Sequence, residues 1–253
     1  MTATGDADLS VVAAALGDRG RARMVLAVTD GRALPASVLA AEAGVAPATA
    51  SAHLGRLVDA GVLRMERHGR FRYYRLAGPE VADLVEALGR VSPAQPVRSL
   101  KEGTRAHALR LARACYDHVA GRLGVALTDA LLDAGHLVGG DGTDSGRRDG
   151  DRLPGLDVVD YALSADGRSA LAAMDVSVPD AAAPVRCCVD WTEQRHHVAG
   201  PLGRALLTTM TDRGWLRPAR RSRALTVTDT GRTALVDALG LVWPPPHGPD
   251  RVA

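Results

Sequence analysis

At Gly61 the apolar pattern of this sequence changes period, and that change constrains the N-terminal third more than any other feature. Before it, Ala50, Leu54, Leu57 and Val58 recur at helical spacing; after it, Leu63 and Met65 alternate with Arg64 and Glu66, and Phe71 and Tyr73 with Arg72 and Tyr74. A period near 3.6 gives a helix one buried face, and a period of two does the same for a strand. Arg67-His68-Gly69-Arg70 separates the two alternating runs with a glycine suited to positive φ, so the pair reads as a β-hairpin.

Helices surround this switch. Leu9, Val12, Ala13 and Leu16 mark a first helix ending near Gly17, and Met24 to Val28 form a second apolar segment closed by Asp30-Gly31. A short helix over Ala36 to Ala43 stops at Gly44, and Pro47 suits the first position of the next because its missing N–H costs nothing there. Val81, Leu84, Val85 and Leu88 mark another amphipathic helix, and Ser92-Pro93-Ala94-Gln95-Pro96 reads as a linker. Residues 1–92 are therefore expected to form a winged helix-turn-helix, with a linker over 93–103.

The exposed face of the helix after Pro47 carries Ala48, Thr49, Ser51, Ala52, His53 and Arg56, with almost no acid. Small residues permit close approach to a major groove, and Thr, Ser, His and Arg can address base edges or phosphates. The hairpin adds Arg64, Arg67, His68, Arg70, Arg72 and Arg75 against Glu66 alone, which suits phosphate contacts or insertion into a minor groove. The bland alternative is a solvated hairpin face beside an ordinary packed helix. The order of the elements, more than the basic run, favours double-stranded DNA as the partner.

Arg23-Met24-Val25-Leu26, Leu39-Ala40, Ala48-Thr49-Ala50-Ser51-Ala52-His53-Leu54, Leu57-Val58-Asp59-Ala60-Gly61-Val62-Leu63 and Gly69-Arg70-Phe71-Arg72-Tyr73-Tyr74-Arg75-Leu76 resemble the ArsR/SmtB regulators over about residues 8–92. The resemblance implies a homodimer joined through the first and last helices of this segment, a palindromic operator, and a repressor that releases DNA on binding its effector. It places Thr49, Ser51, His53 and Arg56 on the recognition helix and Arg67 to Arg72 on the wing. Two familiar metal sites of that family are missing: the helix over Ala36 to Ala43 has no cysteine, and Val81 to Val91 has no histidine. Effector sensing is therefore expected in the C-terminal half.

That half carries an internal repeat. His118-Val119-Ala120-Gly121, Leu123-Gly124 and Ala126-Leu127 return 79 residues later as His197-Val198-Ala199-Gly200, Leu202-Gly203 and Ala205-Leu206. Asp133, Gly135 and Leu137 likewise match Asp212, Gly214 and Leu216. A strand-like pattern and a similar turn follow each copy, Ala162 to Arg168 and Leu225 to Arg232. The expected fold is mainly α with small β-hairpins: the winged helix-turn-helix, then a sensing domain over 104–241 built from two related winged-helix-like units, about 104–175 and 184–241. Asp59 to Leu63 resembles the helix ends of both copies. Gly139 to Gly155 reads as a mobile loop and 242–253 as a disordered tail.

Ala108, Leu111, Ala112, Cys115 and Val119 suggest one helix, on which Cys115 and His118 share a face. The second copy supplies Cys187, Cys188, Asp190, Trp191, Glu193 and His197. Across a pseudo-two-fold, Cys115, His118, Cys188 and His197 would suit tetrahedral zinc or another thiophilic metal, although their spacing matches no strong zinc signature. With Tyr116, Asp190 and Trp191 they are also the candidate effector-binding residues. Plainer readings stay open: Cys115 as a small hydrophobe, Asp190 and Glu193 as a capping box for a helix carrying His197, and the histidines as satisfiers of backbone groups. Ala112 to Gly121 and Cys188 to Glu193 also resemble an extended branch of ArsR-type regulators common in high-GC bacteria.

The chain has 253 residues and a net charge of +2, so charge alone argues little about partners. Three cysteines make no disulfide framework, and neither a signal-peptide pattern nor an apolar run of membrane-spanning length is seen, which points to a reducing cytoplasm. An enzyme using Cys115 as nucleophile and His118 as base is disfavoured, because nothing in the sequence orients the pair. A module whose winged helix binds proteins is the other alternative. The reading that emerges is a DNA-binding regulator, expected to be a repressor and a homodimer, controlled by a small-molecule or metal effector. Metal or thiol-redox sensing at Cys115, His118, Cys188 and His197 is the runner-up.

Overall fold

Asp8 and Asp18 open the first two helices, each accepting a hydrogen bond from a backbone N–H of the first turn, Ser10 and Arg21 respectively. The computed structural model describes residues 6–93, 100–140, 142–143, 161–178, 184–220 and 222–244. The chain divides into two compact units, residues 1–85 and 86–253.

In the first unit, α1 (Leu9–Leu16) and α2 (Arg19–Ala27) precede a two-residue strand β1 (Leu34–Pro35) and α3 (Ala36–Ala43). Gly44, at φ 70, ends α3 in the left-handed conformation, and Pro47 starts α4 (Pro47–Asp59). The hairpin β2 (Leu63–His68) and β3 (Phe71–Leu76) follows, then α5 (Pro79–Val91). Gly69, at φ 60, is the first residue of the two-residue turn, the position a type II′ hairpin reserves for glycine. β1 joins the far side of β3, giving the sheet order β1-β3-β2.

Met24, Leu39, Ala50, Leu54 and Leu57 are fully buried beneath this sheet, together with Val62, Leu63, Tyr74 and Leu76. Each buried leucine contributes about 1.5–3 kcal/mol. The face expected to anchor α1 behaves differently: only Ala15 is buried, and Leu9 stays 77% exposed. The boundary between units falls at 85/86, inside α5, rather than after residue 92, and the expected linker overlaps a helix, α6 (Leu100–Leu111). Ala94 to Pro96 lie outside the described residues.

The second unit repeats one order of elements twice. The first copy runs β4 (Arg113–Cys115), β5 (His118–Ala120), α7 (Arg122–Asp133), β6 (Leu137–Val138), β7 (Ala162–Leu163) and α8 (Ala165–Ala173). The second runs β8 (Cys187–Val189), β9 (His196–Val198), α9 (Gly200–Asp212), β10 (Leu216–Pro218), β11 (Leu225–Val227) and α10 (Asp229–Leu239). Each copy therefore has a leading hairpin that the sequence pattern hid. The helix expected over Ala108 to Val119 ends at Leu111, and Cys115 lies on a strand. The runs read as turns, Asp166-Gly167-Arg168 and Asp229 to Arg232, are first turns of α8 and α10, because Ser164 and Thr228 cap them by accepting from Gly167 and Gly231 N–H.

The copies embrace reciprocally. α7 packs on β9 and α9 on β5, while Ala224 bridges to Arg113 and Val185 to Tyr161, so the end of each copy meets the start of the other. Both copies share one core that includes Leu123, Leu131, Leu171, Leu202, Met210 and Leu235. Trp243 joins that core, so the ordered chain continues into the tail expected to be disordered; residues 245–253, and most of Gly139 to Gly155, lie outside the described residues.

Candidate functional site

In the first unit, burying Ala50, Leu54 and Leu57 turns Ala48, Thr49, Ser51, Ala52 and Arg56 outward, and all five are exposed. His53 departs from the expected exposed face. Its side chain is only 14% exposed, with Nδ1 3.4 Å from Arg21 Nη1 and Nε2 3.5 Å from Asp18 Oδ1. Arg21 is itself buried, donating to the carbonyls of Ala15 (2.6 Å) and Ala14 (2.9 Å) at the end of α1. His53 therefore belongs to a polar cluster tying α4 to the start of α2.

Along the hairpin, Arg64 and Arg75 sit opposite one another and both reach Glu66, at 3.6 and 2.9 Å. Arg67, His68, Arg70 and Arg72 are exposed at the tip, Arg67 directly opposite Arg72, and none of these arginines has an acidic partner among the described residues. Arg70 lies over the Phe71 ring, 5.1 Å from its centroid. The three tip arginines leave an uncompensated positive field beside the exposed face of α4.

In the second unit, the two leading hairpins create a buried cysteine–histidine cluster. Cys115 pairs with His118 across β4 and β5, and Cys188 with His197 across β8 and β9. Directly opposed residues of an antiparallel pair project to the same face about 5 Å apart, so a hairpin with two loop residues brings Cys115 and His118 together as surely as a helix would. Tyr116 occupies that tight turn at φ 57 and is half-buried. The second hairpin has six loop residues, Asp190 to Arg195, and yields the same opposition.

One ligand atom from each of Cys115, His118, Cys188 and His197 lies within 4.8 Å of every other. The two Nε2 atoms face each other at 3.1 Å. Behind them, His118 Nδ1 is 3.2 Å from Asp117 Oδ1, and His197 Nδ1 is 3.6 Å from Asp190 Oδ2. Among the described residues, buried His197 Nδ1 has no hydrogen-bond partner. Glycines allow this approach. A Cβ on Gly124 of α7 would fall 2.4 Å from Val119 O and 3.3 Å from His197 Cβ; on Gly203 of α9 it would fall 2.6 Å from Val198 O and 2.8 Å from His118 Cβ.

Sequence reading missed the ion network around the cluster. Arg113, fully buried, donates to Asp190 Oδ2 (2.9 Å) and Glu86 Oε2 (3.2 Å), and Arg223 reaches Glu86 Oε1 at 3.4 Å. Asp190 also accepts from Gly121 N (2.6 Å), Thr192 N (2.9 Å) and Oγ1 (2.6 Å), and Glu193 N (3.2 Å). It caps a turn; the expected helix over this stretch does not form, and His197 lies on β9. Trp191, half-buried, covers Arg113 at 5.1 Å and packs closely on Gly89, where a Cβ would stand 3.1 Å from its Cγ. Arg113 stands between two alanines and Arg223 ends a basic stretch that begins at Arg217, and nothing in either setting signals burial.

The network sets the protonation of the cluster. Hydrogen bonding to Cys188 and burial push the Cys115 thiol well above its ordinary value. Burial would lower His118, but Asp117 and Cys115 raise it to about 9, whereas burial and the neighbouring His118 drive His197 well below its ordinary value. Burial would raise Asp190; Arg113, His197 and the donated hydrogen bonds instead hold it well below the usual carboxylate range. At 3.1 Å the two Nε2 atoms need one proton between them, one imidazole donating and the other accepting.

Residues 16–66 match a helix-turn-helix domain family. Over 231 residues the chain is 34% identical to an uncharacterised HTH-type transcriptional regulator of Bacillus subtilis, YdfF, across 90% of this chain and 95% of that one. The chain belongs to the winged helix-turn-helix transcriptional regulators. Because 231 residues exceeds the length of either unit, the regulator shares both its DNA-reading unit and its second unit with that relative. Among solved structures, the regulator overlaps the homodimeric winged helix-turn-helix domain Mb0332 of Mycobacterium bovis (30% identity, 32% of this chain and 73% of that one, TM-score 0.30). It also overlaps the transcriptional repressor BigR of Xylella fastidiosa (25% identity, 34% and 88%, TM-score 0.31). No helix among the described residues is long and apolar enough to cross a membrane.

Proposed function

We propose that the regulator is an ArsR-type repressor that binds a palindromic operator as a homodimer and is controlled by an effector sensed in residues 86–253. The observation that carries the reading is the exposed face of α4, which is free of acid from Pro47 to Val58 and meets only Asp59 at its end, together with a hairpin tip whose three arginines have no acidic partner among the described residues. α4 enters the major groove with Thr49, Ser51 and Arg56 towards the bases, Ala48 and Ala52 allow close approach, and Arg67, His68, Arg70 and Arg72 engage the phosphates. His53 acts from behind, holding α4 against α2 through Arg21 and Asp18.

Exposed Leu9 on α1 and Leu84 on α5 are in keeping with dimerisation through the helices that the ArsR resemblance implies. In the second unit, α7-β6-β7-α8 and α9-β10-β11-α10 keep the order of α4-β2-β3-α5, which supports reading both copies as relatives of the winged segment. A ligand held by those copies changes operator affinity only if it binds the DNA-competent and DNA-free forms unequally.

The test is operator affinity of the full chain measured by fluorescence anisotropy across a salt series. Each cation on a phosphate contributes about 0.9 to the slope of log affinity against log salt. Converting Arg67, Arg70 and Arg72 to alanine in both protomers should flatten that slope by up to roughly 5. An unchanged slope would remove the wing from the interface.

A further inference from the structure

We propose that Cys115, His118, Cys188 and His197 form a Cys2His2 site for a thiophilic divalent cation of the zinc class. The site lies wholly within residues 86–253 and does not rest on the DNA-binding reading.

Three observations carry it. The first is the donor set and its spacing. Tetrahedral zinc, at about 2.0–2.1 Å from nitrogen and 2.3 Å from sulfur, sets its ligands roughly 3.3–3.8 Å apart. The two Nε2 atoms already stand at 3.1 Å and the four donors fall within 4.8 Å, so to hold an ion the widest pair closes by about 1–1.5 Å and the nitrogens part slightly. The second is the surroundings of the imidazoles. Both present Nε2 inward and turn Nδ1 to a carboxylate, Asp117 for His118 and Asp190 for His197, the outer arrangement that fixes the tautomer of a metal-bound histidine. A coordinated His197 would carry its proton on Nδ1, facing Asp190, and so give that buried atom a use.

The third is charge. Every carboxylate near the cluster already has a guanidinium partner: Asp117 has Arg204 at 2.6 Å, Asp190 has Arg113, and Glu86 has Arg113 and Arg223. Two thiolates and one dication then add no net charge to a buried site, whereas two thiolates alone would leave two uncompensated charges. Cys188 is the half-buried member of the four. The pseudo-two-fold places one Cys–His pair from each copy on the ion, so binding crosslinks the two copies at their shared seam.

The experiment uses full-length protein purified and stripped of metal under reducing, anaerobic conditions, then titrated with Co2+ as a spectroscopic stand-in. The expected result is one equivalent per chain, with visible bands of tetrahedral cobalt and near-ultraviolet sulfur-to-cobalt charge transfer, both bleached by one equivalent of Zn2+. Cys115→Ser and Cys188→Ser should each lower the charge-transfer intensity, and Cys187→Ser should leave it unchanged. Should the serine variants fail to fold, alkylation of the wild type decides: bound Zn2+ must protect Cys115 and Cys188 from iodoacetamide. Absence of cobalt bands, octahedral bands only, or equal alkylation with and without Zn2+ would overturn the site. A Cys115–Cys188 disulfide forming in protein that takes no cobalt would also overturn it, in favour of a thiol switch.

Discussion

Asp190→Asn changes one atom of a fully buried side chain, and the structure predicts a large effect. Oδ2 accepts from Arg113 Nη2 and Gly121 N; Oδ1 accepts from Thr192 N, Thr192 Oγ1 and Glu193 N. An asparagine amide must direct its NH2 at one of these two groups, and either orientation sets donor against donor. It also removes one of the two carboxylates that neutralise Arg113, whose side chain is 0% exposed. Breaking a buried charge pair from one side costs about 3–5 kcal/mol. For a unit spanning residues 86–253, a change of that size lowers the midpoint of thermal unfolding by roughly 6–20 °C. All three tryptophans of the chain, Trp191, Trp215 and Trp243, lie in this unit, so intrinsic fluorescence follows its unfolding alone. Asp190→Ala is the comparator: if donor opposition is the cause, asparagine should be no better tolerated than alanine. An asparagine variant within about 1 kcal/mol of the wild type would refute the account of Arg113 as a charge dependent on Asp190.

Three other substitutions test the packing of α9 and the separate roles of Thr49 and His53 on α4. Gly203→Ala forces a Cβ against Val198 O and His118 Cβ, and should lower the stability of the second unit by about 1–3 kcal/mol in the same fluorescence assay; an unchanged midpoint would mean that α9 is not held against β5. Thr49→Ala should change preference among operator variants more than binding to random DNA, whereas His53→Ala, which unpacks α4 from Arg21, should weaken both alike in anisotropy titrations. The reverse result would exchange their roles.

The winged segment was legible because its signals are local. Gly44, Pro47, Gly61 and Gly69 mark element ends through the conformations that only they accept easily, and the change of apolar period separates helix from hairpin. The cysteine–histidine quartet was legible for a different reason: the repeat names the partners even though the local apolar spacing favours a helix where the structure has a hairpin. At a separation of three residues, a helix and a tight hairpin both juxtapose Cys115 with His118, so a mistaken element still selected the right pair. His53 and Arg113 were illegible because side-chain burial depends on what packs over a residue, and those neighbours, Arg21 and Asp190, are 32 and 77 positions away.

By itself, then, the sequence determined the order of the helices and of the β2–β3 hairpin in residues 6–91, though neither the short strand β1 nor the start of α2, and it showed the 79-residue repeat whose two copies carry Cys115 with His118 and Cys188 with His197. Tertiary structure decided that the copies clasp one another, that Gly124 and Gly203 admit the partner copy's histidine, and that Glu86, Arg113, Asp190 and Arg223 form a buried ion network around it. The physical reason is range. Backbone conformation and apolar periodicity act over a few residues and are written in order along the chain, whereas charge burial and close backbone approach depend on residues that meet only when the chain has folded.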